Sequence, residues 1–131
     1  MSVVDQLNAN PLPLARHLGV EIVEATPQRV VARLTVREEI CTLGGILHGG
    51  AFMALADTAG AIGASLNLAP GANTTTIESK TNFLGSAGLG VVVSAEASPV
   101  HVGRRSSVWQ TRITNPDGKL LALVTQTQLV I

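Results

Sequence analysis

Apolar residues in this chain first alternate, then run together, then alternate again. From Val20 to Ala25 the apolar positions are interrupted by Glu21 and Glu24, as in a strand with one polar face. Arg29 to Val36 repeats the alternation, with Val30, Ala32, Leu34 and Val36 on one side and Val31, Arg33 and Thr35 on the other. Thr26-Pro27-Gln28 between them reads as a turn, so the pair predicts a hairpin. Residues 37–47 follow neither period and are read as irregular. The helical pattern then starts near His48 and runs to about Leu68, where Pro70-Gly71 closes it. Alternation returns in Thr74 to Leu84, Gly90 to Val102, Arg105 to Thr114 and Leu120 to Ile131, and Asn115-Pro116-Asp117-Gly118 is a strong turn signal. Ahead of it all, Pro13 to Leu18 reads as a short helix with Pro at its start and Gly19 at its end. Two strands, one long helix and four strands predict an α+β fold in which an antiparallel sheet covers one helix.

Composition narrows what such a fold could do. The 131 residues fit one domain, with 1–18 as a short N-terminal helical segment. Lys+Arg and Asp+Glu total 9 each, so no basic face is available for nucleic acid, and 2% aromatics leave no stacking platform. Only 14% of residues are charged against about 25% in ordinary soluble domains, which points to an apolar surface patch and hence to an oligomer. The apolar stretch from Ile46 to Leu66 carries Asp57 at its centre, at a cost of roughly 2.5–3.5 kcal/mol in a bilayer, so it is not read as a membrane span. Met1 to Asn10 lacks the basic start and apolar run of a secretory signal, and the single cysteine, Cys41, forms no internal disulfide; a cytoplasmic protein is expected.

The chemistry concentrates on the central helix. His48-Gly49-Gly50 falls at its start, where free N–H groups and the helix dipole favour negative charge. Glycines there let a substrate carbonyl approach the backbone, as in an oxyanion hole. Asp57 lies among Met53, Ala54, Ala56, Gly60, Ala61 and Ala64, where a carboxylate is costly unless it is bonded or exposed to a site. It follows Gly50 by seven positions, roughly 10 Å along a helix axis. If both groups act on one carbonyl, they must come from two copies of the chain. Gly60, Ala61 and Ala64 would let two antiparallel helices approach closely. His17, His48 and His101 lack metal-ligand spacing, and no metal is expected.

Gly45-Ile46-Leu47-His48-Gly49-Gly50 followed by Leu55-Ala56-Asp57 resembles the hotdog thioesterases of the phenylacetate-degradation (PaaI-like) family. The likeness continues through Thr76 to Leu84, Val100 to Arg105 and Asn115 to Ala122. It implies a hotdog fold and hydrolysis of an aromatic or medium-chain acyl-CoA without a cofactor, coenzyme A being part of the substrate. The Gly49 amide, with Gly50 as a second donor, would polarise the thioester carbonyl. Asp57 of the partner subunit would be nucleophile or general base, Thr76 would hold the attacking water, and His48 would orient the loop or the carbonyl. Gly103, Arg104 and Arg105 would border the coenzyme A phosphates, which suit arginine's forked donors. Phe83, with Phe52, Met53 and Leu84, is a candidate for the acyl pocket. Relatives often carry Asn six residues before the histidine, holding the aspartate or the substrate; Thr42 stands there, shorter and without two N–H donors. The resemblance also implies a homodimer with shared sites, assembled into a homotetramer. A hotdog dehydratase or hydratase and a non-catalytic acyl-CoA sensor are the alternatives, and the acidic Asp57 argues against a purely binding role.

Overall fold

A computed structural model describes all 131 residues. Strands β1 (Glu21–Thr26) and β2 (Arg29–Thr35) form the expected hairpin. The central helix α3 runs from Gly49 to Ser65, and β5 (Thr74–Phe83), β6 (Val92–Val102), β7 (Ser106–Thr114) and β8 (Leu120–Val130) follow it. These six strands make one antiparallel sheet in the order β1-β2-β6-β7-β8-β5. The sheet wraps α3 with its apolar face, which is the hotdog arrangement. Val30, Ala32 and Leu34 of β2, Val93, Ala95 and Ala97 of β6, Trp109 and Ile113 of β7, and Ala122 and Val124 of β8 are all sealed against the helix.

Alternation in the sequence places these residues on one face, because successive strand side chains point to opposite sides. The helix approaches closely because two of its residues lack a side chain. A Cβ at Gly63 would lie 2.5 Å from the Trp109 ring, and one at Gly60 would lie 2.3 Å from the Gln126 amide oxygen. Both distances are far inside van der Waals contact, so each glycine is a socket for a large side chain of the sheet.

The structure differs from expectation in three places. α3 stops at Ser65 rather than near Leu68, because the Ser65 hydroxyl donates to the Ile62 carbonyl and the Asn67 amide to that of Gly63, capturing carbonyls of the last turn. Residues 37–47 are more ordered than their pattern suggests. They hold a 3-10 turn (Glu38–Ile40) and a small ladder between β3 (Cys41–Thr42) and β4 (Ile46–Leu47). The N-terminal segment carries two helices, α1 (Val3–Ala9) ahead of the expected α2 (Pro13–Leu18). Ser2 and Asp5 close a reciprocal capping box on α1, a signal present in the sequence. The Asn8 side chain ties α1 down by bonding both backbone groups of Ile22, at 2.8 and 2.9 Å. No helix is long and apolar enough to cross a membrane.

Candidate active site

Asp57 sits half-buried in the middle of α3 and faces β5 and β8. Its Oδ1 accepts two bonds, from the Thr76 hydroxyl at 2.6 Å and from the Gln126 Nε2 at 2.9 Å. Thr76 Oγ1 in turn accepts from Gln128 Nε2 at 2.6 Å, and Gln128 Oε1 accepts from the Thr74 hydroxyl at 3.0 Å. A chain of donors thus runs from Thr74 to the carboxylate through two strands. All the bonds to Asp57 converge on one oxygen, and Oδ2 is left free for chemistry.

Gln126 is fully buried, and its orientation is forced. The amide N–H faces the carboxylate, so Oε1 turns toward Gly60 and finds no conventional donor. The absent Cβ of Gly60 leaves an α-hydrogen in that direction, and a Cα–H···O contact is the partner available. Neither glutamine is among the residues singled out from the sequence. A signal was present: Gln126 and Gln128 are two amides at alternate positions of a strand face that is otherwise Ala122 and Val124. The amide that the resemblance places in the 37–47 loop is absent there, and Gln126 gives Asp57 an amide donor from β8. Thr42 lies on exposed β3 and lines a cleft with His48, Glu38 and Leu89, away from the bonds to the carboxylate.

The N-terminus of α3 is built locally. His48 is its N-cap, in extended conformation, and its Nδ1 accepts from the Gly50 N–H at 2.7 Å. An accepting Nδ1 leaves the ring proton on Nε2, as a donor. This bond corrects one expectation: the Gly50 amide is engaged by His48 and is not a second donor to a carbonyl. The Gly49 N–H makes no hydrogen bond, as its place in the first helical turn dictates. Phe83 closes one side, since a Cβ at Gly49 would come within 3.3 Å of its ring. Phe83 also meets Phe52 edge to face, with ring centroids 6.1 Å apart.

Two groups of expected residues are therefore separate within the chain. Gly49 lies eight positions before Asp57 on an unbroken helix, about 12 Å along the axis. Thr76 joins Asp57, but its one proton goes to the carboxylate, so it could hold water only through a remaining lone pair. Gly103, Arg104 and Arg105 form the exposed turn between β6 and β7, and Gly103 and Arg104 share a cavity with Ala64, Asn67 and Leu68. That is the far end of α3 from His48, so one chain does not bring the arginines to Gly49.

Comparison with known proteins adds an independent line. The thioesterase superfamily matches residues 44–122. A 1,4-dihydroxy-2-naphthoyl-CoA hydrolase of Listeria monocytogenes is 34% identical over 110 residues, covering 84% of this chain and 89% of that protein. A 1,4-dihydroxy-2-naphthoyl-CoA thioesterase of Arabidopsis thaliana is 31% identical over 119 residues, covering 86% and 74%. The crystal structure of a thioesterase from Haemophilus influenzae superposes with a TM-score of 0.92 at 30% identity, over 100% of this chain and 92% of that one. The PaaI protein of the E. coli phenylacetic acid degradation operon gives 0.86 at 25% identity, over 98% and 91%.

Proposed function

Since the chain belongs to the thioesterase superfamily and is a thioesterase enzyme, we propose that it hydrolyses an aromatic or medium-chain acyl-CoA to the free acid and coenzyme A, using Asp57 of one subunit and Gly49 of another. The observation that carries this reading is the carboxylate with one oxygen tied by Thr76 and Gln126 and the other free. Such a group can take a proton from water or attack the carbonyl itself. The free N–H of Gly49, at the positive end of α3, stabilises the oxyanion that forms when the thioester carbonyl is attacked. His48 adds its Nε2–H as a second donor. Thioesters are already activated, so no cofactor is required. Cys41 is a free thiol, and the protein works in the cytoplasm on this reading.

A dimer supplies what one chain lacks. Strand β5 is a ten-residue sheet edge whose other side is unpaired, and Ile77, Phe83 and Leu84 on and beside it are more than half exposed. An edge of that kind invites a second copy. Two copies with antiparallel α3 helices set the Asp57 of each against the Gly49 of the other. The same arrangement carries Gly103, Arg104 and Arg105 of one subunit toward the other subunit's His48, where coenzyme A phosphates would lie. The dimer is the catalytic unit, whether or not two of them pair into a tetramer.

Thiol release from a panel of acyl-CoA esters tests the activity, and release from none of them would refute it. Mixed dimers test the sharing. Gly49→Pro removes the amide proton, and proline is tolerated at the first helical position, the more so because His48 is already extended. Equimolar Asp57→Ala and Gly49→Pro chains, each inactive alone, should recover about a quarter of wild-type activity once subunits exchange, because half of the dimers then hold one intact site. Mixed dimers with no activity would rule out shared sites.

A further inference from the structure

We propose that the acyl group is received by a largely apolar pocket between α3 and the N-terminal segment, and that this pocket selects a plain hydrocarbon chain of medium length over a hydroxylated aromatic ring. The proposal rests on the reading of Asp57 given above. The pocket has a volume of about 330 Å³. Leu7, Pro11, Leu12 and Ala15 roof it, and Ala61 and Ile62 of α3 form its floor. Its volume lies at the low end of small-molecule sites, roughly 300–1,000 Å³, which suits a medium chain rather than a long one.

Its place relative to Asp57 is the first argument. Ala61 stands one turn beyond Asp57 on the same helix, about 6 Å along the axis. On the sheet side, Thr74 is in the wall, two positions along β5 from the Thr76 that bonds Asp57. A chain leaving a carbonyl held at Asp57 would therefore enter this pocket within a few carbons. Asp57 and the pocket belong to the same subunit, while the oxyanion donor comes from the other.

The second argument is that the hydroxyl protons of its polar wall are spent elsewhere and the rest of the wall is apolar. Five polar residues line it, and four are committed elsewhere. The Thr58 hydroxyl donates to the Ala54 carbonyl at 2.8 Å, that of Ser65 to Ile62 at 2.7 Å, and that of Thr74 to Gln128 at 3.0 Å. Asn8 spends both ends of its amide on Ile22. Asn10 alone keeps a free side chain, and no charged residue faces the pocket. A ring hydroxyl placed there exchanges water for the Asn10 amide or a lone pair of these hydroxyls at best, whereas methylene groups gain outright by leaving water for the apolar wall.

The test compares kcat/KM along a straight-chain series from butanoyl- to dodecanoyl-CoA with 4-hydroxybenzoyl-CoA. An optimum at six to eight carbons, exceeding 4-hydroxybenzoyl-CoA by about 10-fold, is expected, inside the roughly 100-fold limit on what an apolar pocket exacts for an added hydroxyl. Ala61→Leu narrows the pocket from the floor and Leu12→Trp from the roof, and each should move the optimum to shorter chains. Preference for the hydroxylated ring, or an optimum that neither variant moves, would overturn the proposal. Calorimetric binding of octanoyl-CoA to Asp57→Asn separates it from the question of catalysis. Binding that both filling variants weaken at least tenfold supports the pocket even without turnover; binding that neither affects refutes it even in an active enzyme.

Discussion

The two parts of the site are held by different kinds of structure. His48-Gly49-Gly50 arranges itself: three consecutive residues make the cap, engage the Gly50 amide and leave that of Gly49 free. Asp57 is arranged by others, through Thr76 and Gln126 directly, the latter 69 residues away in sequence, and Gln128 and Thr74 behind them. The first part needs a helix start and little else. The second needs the sheet to be correctly assembled around α3. A perturbation at the cap should therefore stay local, while one in the sheet face should reach the carboxylate.

The largest effect belongs to the carboxylate itself. Asp57→Asn keeps shape and hydrogen-bonding capacity but loses the charge, and kcat should fall about 10²–10⁴-fold in thiol-release assays with a nearly unchanged melting temperature. A loss under tenfold would mean that the network supports structure and not chemistry. Gly49→Pro comes next, at about 10²–10³-fold in kcat for one lost oxyanion donor, with only a small drop in melting temperature as the exposed Phe83 ring shifts away from the new Cβ. Retained activity would remove the cap from the mechanism.

The sheet side predicts coupling that the cap side does not. Gln126→Ala should lower kcat about tenfold with little change in KM, since it frees the carboxylate to wander without touching the coenzyme. Gly60→Ala drives a methyl into the Gln126 amide, an overpacking cost of about 1–3 kcal/mol set against about 1 kcal/mol gained in helix propensity. The two should not add: the double variant should be no less stable than Gln126→Ala, because the clash has gone. Additive losses in the melts would show that Gly60 is not the socket for Gln126.

Smaller effects mark the cap. His48→Ala removes the acceptor of the Gly50 amide and should cost about 0.5–2 kcal/mol in denaturant unfolding, while His48→Asn, a strong cap residue, should restore that stability and not the activity. The smallest effect lies far from both regions. The hydrogen bond from Arg29 holds the Glu96 carboxyl below its usual range, with the charge of the same residue adding to it against partial burial. A depressed carboxylate stabilises the fold above its ordinary pKa and loses that contribution as pH falls through the lowered value. Arg29→Met should thus lower the melting temperature slightly near pH 7, by the small amount of an exposed pair, and the difference should shrink as pH falls below the ordinary carboxylate range. A shift that stays the same as pH falls would assign the effect to packing.

How much was legible follows the same division. The order of two strands, a helix and four strands could be read from periodicity, because period 2 and period 3.6 are written residue by residue. The helix start was legible because His48-Gly49-Gly50 is contiguous in the chain, and Asp57 because an acid in an apolar helix is conspicuous. That the Gly50 amide is engaged by His48 was not, since it depends on the ring's rotation toward the backbone. Gln126 and Gln128 read only as polar positions in a Thr/Gln alternation. Whether that face meets solvent or a carboxylate depends on β8 lying between β7 and β5, and register and sheet order come from the whole assembly. The sequence by itself thus determined the elements, the helix start and the presence of an acid in need of partners. The tertiary structure decided which side chains those partners are, because an interaction between residues far apart in the chain exists only once the sheet has closed around the helix.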